Sequence, residues 1–164
     1  MHLLAFCQWI EKTPVGAVIR DSSWLFDTIE SAHTLGIVLV AGTIFLLDLR
    51  LLGFGLREEP VRDVVERTVP WTLAGFFVMA LTGAWLFAGE ASKLYRSPAF
   101  RIKLILLALV GLNALLFHVT VYRRVAEWIG VPVRARVAGV ISLVLWVCII
   151  AAGRSIAYGP GYDQ

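Results

Sequence analysis

Four long apolar runs constrain this chain more than any other feature of its 164 residues. They cover residues 24–52, 68–89, 104–122 and 137–153, and charged side chains are rare within them. A helix needs about 20 apolar residues to cross the hydrocarbon core of a bilayer, and each run is close to that length or longer. Backbone amides in lipid must be hydrogen-bonded within the protein, and no run alternates as a barrel strand does. We therefore predict four transmembrane helices.

The composition agrees with a membrane protein. Hydrophobic residues make up 59% of the chain and charged residues only 16%, with a mean hydropathy of +0.77, which is far more apolar than a soluble domain of this size. We predict an all-α four-helix transmembrane bundle, with residues 21–164 as a single domain. We expect it to be a multi-pass protein of the bacterial inner membrane, in contact with the lipid bilayer. Basic residues are mixed with acidic ones in the loops, so no nucleic-acid partner is expected.

Residues 1–20 form a separate N-terminal segment in this prediction. Leu3, Leu4, Phe6 and Trp9 are apolar, and the segment lacks the basic start and small-residue cleavage site of a secretory signal. We expect a short interfacial helix that lies on the membrane surface. Pro14 should end this helix or redirect the chain.

The first functional candidate is His33, which lies inside the first apolar run. It is followed by fourteen uncharged residues before Asp48. An ionisable ring is costly in lipid, so it usually faces protein, a cofactor or a proton path. Gly36 and Gly42 remove side-chain bulk beside it, which would allow a neighbouring helix or a flat cofactor to approach. We therefore consider His33 a candidate metal ligand and cofactor-binding residue.

A second histidine, His118, lies near the end of the third run, on one stripe with Gly111. The first and third helices run in the same direction. His33 lies before the middle of its run and His118 past the middle of its own, so the two fall in opposite halves of the membrane, with a vertical offset of about 17 Å at 1.5 Å per residue. Two axial ligands of one haem must be nearly level, and we do not expect one haem to use both. Lys103 and Arg154 lie at the His33 end, where they could pair with haem propionates. Asn113 points elsewhere and is expected to hydrogen-bond a neighbouring helix.

The opposite end of the bundle carries several charged residues close to the predicted helix ends. We interpret them as helix-end ion pairs rather than as a site. These residues are Asp48, Arg50, Glu66 and Arg67.

Several short motifs resemble known membrane families. The run from His33 to Arg50 ends in Leu-Asp-Leu-Arg-Leu-Leu and resembles the first helix of a group of small four-helix membrane proteins. That group includes the haem-containing protoporphyrinogen oxidase of bacteria and the copper-resistance D-type membrane proteins. The likeness continues with Glu66-Arg67, Pro70, Thr82-Gly83, and Lys103 before a long apolar run. It implies a b-type haem at His33 and a functionally important Lys103.

The chain as a whole is most similar to an uncharacterised bacterial family of four-helix membrane proteins. Phe117-His118 and Tyr122-Arg123-Arg124 belong to that family's pattern. The spacing from Lys103 to His118 is about one helical turn longer than in the oxidase family, so His118 has no matched role there.

From these observations we predict a membrane protein that binds haem b and acts in electron transfer or coupled oxidoreduction, with a redox partner protein or as a homo-oligomer. It could be a component of a haem-dependent membrane oxidoreductase. Two alternatives stay open. One is a copper or other metal-ion protein that uses Glu30, His33, Met79 and His118. The other is a non-catalytic membrane anchor whose histidines hydrogen-bond neighbouring helices.

Overall fold

The structure, a computed structural model, describes residues 2–56, 58–122 and 131–157. These residues form six α-helices and no strand. The helices are α1 (His2–Glu11), α2 (Pro14–Asp21), α3 (Ser23–Leu52), α4 (Val61–Arg96), α5 (Pro98–Phe117) and α6 (Val133–Ala157). A π-helical segment, His118–Tyr122, continues α5. Four of these elements are long and apolar enough to cross a membrane, which confirms the predicted fold class.

The ends of the first membrane helix have clear local causes. Ser22 precedes α3, and its hydroxyl accepts the Leu25 N–H at 3.4 Å, which satisfies one of the free N–H groups of the first turn. At the other end Gly53 has φ 80°, and the left-handed conformation that glycine tolerates stops the helix. The span is therefore fixed by its caps as well as by its hydropathy.

Helix α4 begins earlier than the sequence predicted. It starts at Val61, so Pro70 lies inside the helix rather than in its first turn. The additional turns have an apolar side, Val61, Val64 and Val65, that is buried in the bundle. On the exposed side Arg62 and Glu66 form an ion pair at 2.6 Å. Tertiary packing of this amphipathic face extends the helix beyond the charge-free run.

The N-terminal segment is two helices rather than one. Pro14 occupies the first turn of α2, and the Thr13 hydroxyl accepts the Gly16 N–H at 3.3 Å. The chain is thus redirected at Pro14, as expected, but then forms a second helix because proline is well suited to a first turn. Both α1 and α2 pack on α4.

The long helices pack in two pairs. α3 lies against α4, α5 lies against α6, and contacts between α3 and α6 join the pairs, whereas α4 and α5 make few contacts with each other. A Cβ atom built on Gly36 would be 3.2 Å from the Gly75 carbonyl oxygen. Small residues allow this close approach of two helix backbones. One interior cluster joins α3, α5 and α6 through Val40, Val110, Trp146 and Ile149.

We predict that Gly75→Ala destabilises the bundle and that Gly42→Ala does not. A Cβ at Gly75 would lie 2.9 Å from Val40 Cγ2, whereas a Cβ at Gly42 meets nothing within 4 Å. Overpacking of a tight contact costs about 1–3 kcal/mol, while alanine in an open helix position is more favourable than glycine. Unfolding titrations of the two variants in detergent measure the difference, and equal stabilities would contradict the assigned α3–α4 contact.

Candidate functional site

His33 lies on the side of α3 that packs against α4. Its Nδ1 atom is 3.0 Å from the hydroxyl oxygen of Thr82, and the Met79 backbone carbonyl also interacts with the ring. The side chain is half-buried. An imidazole and a threonine on neighbouring spans thus meet inside the bundle, where an interhelical hydrogen bond can form with little competition from water.

The hydrogen bonds of Thr82 favour one tautomer of His33. The threonine hydroxyl donates its only hydrogen to the Val78 carbonyl oxygen at 2.6 Å. With that hydrogen directed to Val78, the Thr82 oxygen is the acceptor at its contact with His33, and Nδ1 of a neutral ring is then the nitrogen that carries the proton. Nε2 then carries the lone pair. A histidine that ligates a metal commonly has its other ring nitrogen fixed in this way by a hydrogen bond.

A glycine and a lysine complete the surroundings of the ring. A Cβ atom on Gly83 would lie 3.1 Å from His33 Cε1, so the missing side chain is what allows the ring to rest on α4. Lys103, half-buried on α5, is close enough to interact electrostatically with His33. Its Nζ atom is 3.6 Å from the position of a Cβ on Gly153. The structure therefore brings His33, Lys103 and the end of α6 to one level.

The other two predicted site residues, Arg154 and His118, lie in opposite halves of the bundle. Arg154 is exposed and directly follows Gly153, so it belongs to the same end of the bundle as Lys103. His118 is exposed and begins the π-helical segment. It follows Lys103 by fifteen residues along α5 and its π-helical continuation, which corresponds to about 22 Å along the helix axis. His118 and His33 are thus in opposite halves of the bundle.

The residues of the metal-ion alternative are only partly brought together. Met79 is buried beside Gly36, whereas Glu30 and His118 are exposed. Within the described ranges, no three His, Cys, Asp or Glu side chains form a group that could hold a metal ion.

The prediction of an ion pair at Asp48 is wrong. Asp48 is only 3% exposed, and its carboxyl group interacts with the side chain of Ser142 on α6. Its Oδ2 atom has no hydrogen-bond partner within the described residues. The neighbouring Arg50 instead donates from Nε to the Glu59 backbone carbonyl at 2.7 Å. Asp48 turns towards α6 because the small Gly139 allows the α3 backbone to pack there.

The remaining expectations have mixed outcomes. Asn113 donates from Nδ2 to the Ala138 carbonyl on α6 at 3.1 Å, which confirms its interhelical role. Arg67 and Glu59 form an exposed ion pair at 3.6 Å. The Tyr122 side chain, Arg123 and Arg124 lie outside the described residues. Thr82 was noted in the sequence only as part of a motif, since a threonine in an apolar run carries no sign of its partner.

We predict that His33→Phe and Thr82→Val are coupled in a double-mutant cycle of unfolding free energies. Interhelical hydrogen bonds in membranes contribute about 0.6 kcal/mol on average and up to about 1.7 kcal/mol. The matched control is Thr34→Val, because the Thr34 hydroxyl is exposed and bonds the Glu30 carbonyl of its own helix. Coupling of His33 to Thr34 as strong as to Thr82 would contradict the contact.

The chain was compared with known protein families, curated proteins and solved structures. No curated protein and no solved structure matches it. A family model, described as a family of unknown function, DUF6644, matches residues 6–159. This span includes most of α1 and all of the four membrane helices. The chain therefore belongs to the family of unknown function DUF6644.

Proposed function

We propose that the protein is an integral membrane b-type haem protein of the bacterial inner membrane, in which His33 would hold the haem iron. Its role would be electron transfer or a coupled oxidoreduction within the bilayer. The observation that carries the proposal is the hydrogen bond between His33 Nδ1 and Thr82, which leaves Nε2 with a lone pair.

The residues around His33 fit this group in three respects. A neutral imidazole is the nitrogen ligand that haem iron uses in many proteins. The missing side chain of Gly83 lets the His33 ring rest against α4, which holds the ring in place. Lys103 interacts electrostatically with the ring from α5, and a cation at that end can pair with a propionate.

The motif likeness adds independent support. His33, Thr82-Gly83 and Lys103 belong to the residues that resemble the haem-containing oxidase group, and they come from three separate helices that meet at one level. Likeness of motifs alone is an analogy. Their convergence in space is the additional argument for a shared site.

Each residue would have a distinct task. A bound haem would supply reversible one-electron transfer. Thr82 would orient the His33 ring, Lys103 would bind a propionate carboxylate of the haem, and the apolar residues of α3, α5 and α6 would exclude water. Arg154 adds an exposed positive charge at the same end.

The anchor alternative is supported by the same hydrogen bond. The contact between His33 and Thr82 links α3 to α4 without any cofactor, as polar pairs do in many membrane bundles. In that case the histidine would stabilise the fold, and a partner protein would carry the activity. The visible spectrum of the purified protein, before and after dithionite reduction, separates the two. A Soret band with reduced α and β bands supports the haem protein, and a featureless spectrum after expression with sufficient haem contradicts it.

We predict that His33→Ala abolishes haem incorporation and that His118→Ala retains it. His118 is about 22 Å along α5 from Lys103 at 1.5 Å per residue, too far to reach an iron bound at His33. The Soret absorbance per protein, with circular dichroism as the check on folding, measures the effect. Complete loss of the Soret band in both folded variants would contradict this prediction, because it would show that haem binding needs both histidines.

We further predict that Lys103→Met weakens haem retention more than Arg154→Met. Lys103 is half-buried and interacts electrostatically with His33, whereas Arg154 is exposed. An exposed ion pair contributes at most about 1 kcal/mol, or about fivefold in affinity. Haem transfer to apomyoglobin, followed over time in both variants, compares them. A larger effect of Arg154→Met would mean that the propionates lie outside the bundle.

A further inference from the structure

A groove lies on the surface of the bundle, at the end opposite to His33. The last turns of α5, the π-helical segment and the first turns of α6 enclose a groove of about 180 Å³. Thr120 and Arg134 lie near its mouth, and Leu116, Val137 and Ile141 line its apolar length. The groove opens on the outer surface of two membrane-spanning elements, so its apolar part faces the lipid.

The size and shape of the groove limit what it can hold. Pockets for compact ligands have volumes of about 300–1,000 Å³, which exceeds the space available here. A narrow apolar groove between two helices instead suits part of one extended hydrocarbon chain. Asn113 ties the two walls together through its bond to the Ala138 carbonyl at 3.1 Å, so the groove is held between fixed helices.

The charge at the mouth indicates the sign of the headgroup. Arg134 is in the second position of α6, is exposed and lines the groove. Among the ion pairs of the described residues none involves Arg134. A guanidinium at the membrane surface attracts anionic lipid, and it can bind a phosphate through two parallel hydrogen bonds.

The backbone of α5 changes at the same place. Residues His118–Tyr122 form a π-helix, and Thr120, within that segment, lines the groove. Single π-helical turns are rare and occur frequently at functional sites.

We propose that this groove binds an anionic phospholipid, with the phosphate on Arg134 and part of one acyl chain along Leu116, Val137 and Ile141. The site is independent of the function proposed at His33. It is a specific lipid site, distinct from the general contact of the apolar helices with the bilayer.

The test is a titration of the full-length protein in detergent with phosphatidylglycerol, phosphatidylcholine or inorganic phosphate, followed by its melting temperature. Phosphatidylglycerol should raise the melting temperature saturably, and the other two should not. Arg134→Gln should raise the half-saturating lipid concentration about fivefold, the effect expected for one basic residue at an anionic surface. A rise of equal size with phosphatidylcholine or with phosphate alone would overturn the proposal.

Matched variants distinguish the groove from nonspecific attraction. Arg136 has the same charge on the same helix, is exposed and does not line the groove, so Arg136→Gln should leave the half-saturation unchanged. Val137→Trp should abolish the lipid effect by filling the groove, whereas Val147→Trp, at an exposed position ten residues further along α6 that does not line the groove, should not. Equal effects within either pair would show that lipid binds the surface without using this groove.

Discussion

The contact between α3 and α4 at Gly36 and Gly75 is the packing interaction on which the rest of the bundle depends. Lipid is as apolar as the helix surfaces, so helices associate in a membrane through close packing and hydrogen bonds rather than through the hydrophobic effect. A Cβ on Gly36 would be only 3.2 Å from the Gly75 carbonyl oxygen, which shows how near the two backbones are. His33 lies three residues before Gly36, and the same close approach of α3 and α4 places its Nδ1 atom 3.0 Å from the Thr82 hydroxyl oxygen.

Two groups of polar side chains that contact other helices lie far apart in the described part of the bundle. His33, Thr82 and Lys103 lie near one end, while Asp48 and Ser142 lie about 22 Å along α3 at 1.5 Å per residue. Each group uses a residue of another helix as its hydrogen-bond or electrostatic partner. Because a buried polar group without a partner is costly, these contacts also select how the helices pair. The interhelical polar contacts and the apolar packing therefore favour the same pairing of helices.

The sequence was sufficient to predict the spans, because a bilayer restricts the backbone to helices and sets their length. It could not predict the start of α4, since the valines at 61, 64 and 65 are buried only through contacts with other helices. His33 was identifiable because an ionisable ring is unusual in lipid. Its partner Thr82 was not, because hydroxyl groups in membrane helices commonly bond their own backbone, as Thr82 also does with Val78.

Asp48 illustrates the same limit for charged residues. Asp48 lies near a helix end and close in sequence to an arginine, which suggested an ion pair between the two. The pairing instead depends on Gly139 and Ser142, which are more than ninety residues away and become neighbours only when α6 packs on α3. Local charge patterns predict contacts within a helix well, but not contacts between helices.

The N-terminal helices are bound to the bundle through an irregularity in α4. Glu90 has φ −133° and ψ 35°, which interrupts the helix and frees backbone N–H groups of the next turn. The Glu11 carboxylate accepts from the Ser92 N–H at 2.7 Å and from the Ser92 hydroxyl at 2.8 Å. A side chain from α1 thus acts as the cap of the last part of α4.

This cap connects the N-terminal segment to the end of the bundle that holds His33. Gly16 of α2 approaches the Ala88 carbonyl so closely that a Cβ atom would be 2.7 Å from it, and Ile19 packs on Gly89. The clamped turn then leads through Ser97 into α5, where Phe100 stacks on Phe87 with ring centroids 5.8 Å apart. Lys103 follows one turn later. The height of Lys103 relative to His33 therefore depends on the bend that Glu11 stabilises, and the N-terminal helices help to position the residues of the candidate site.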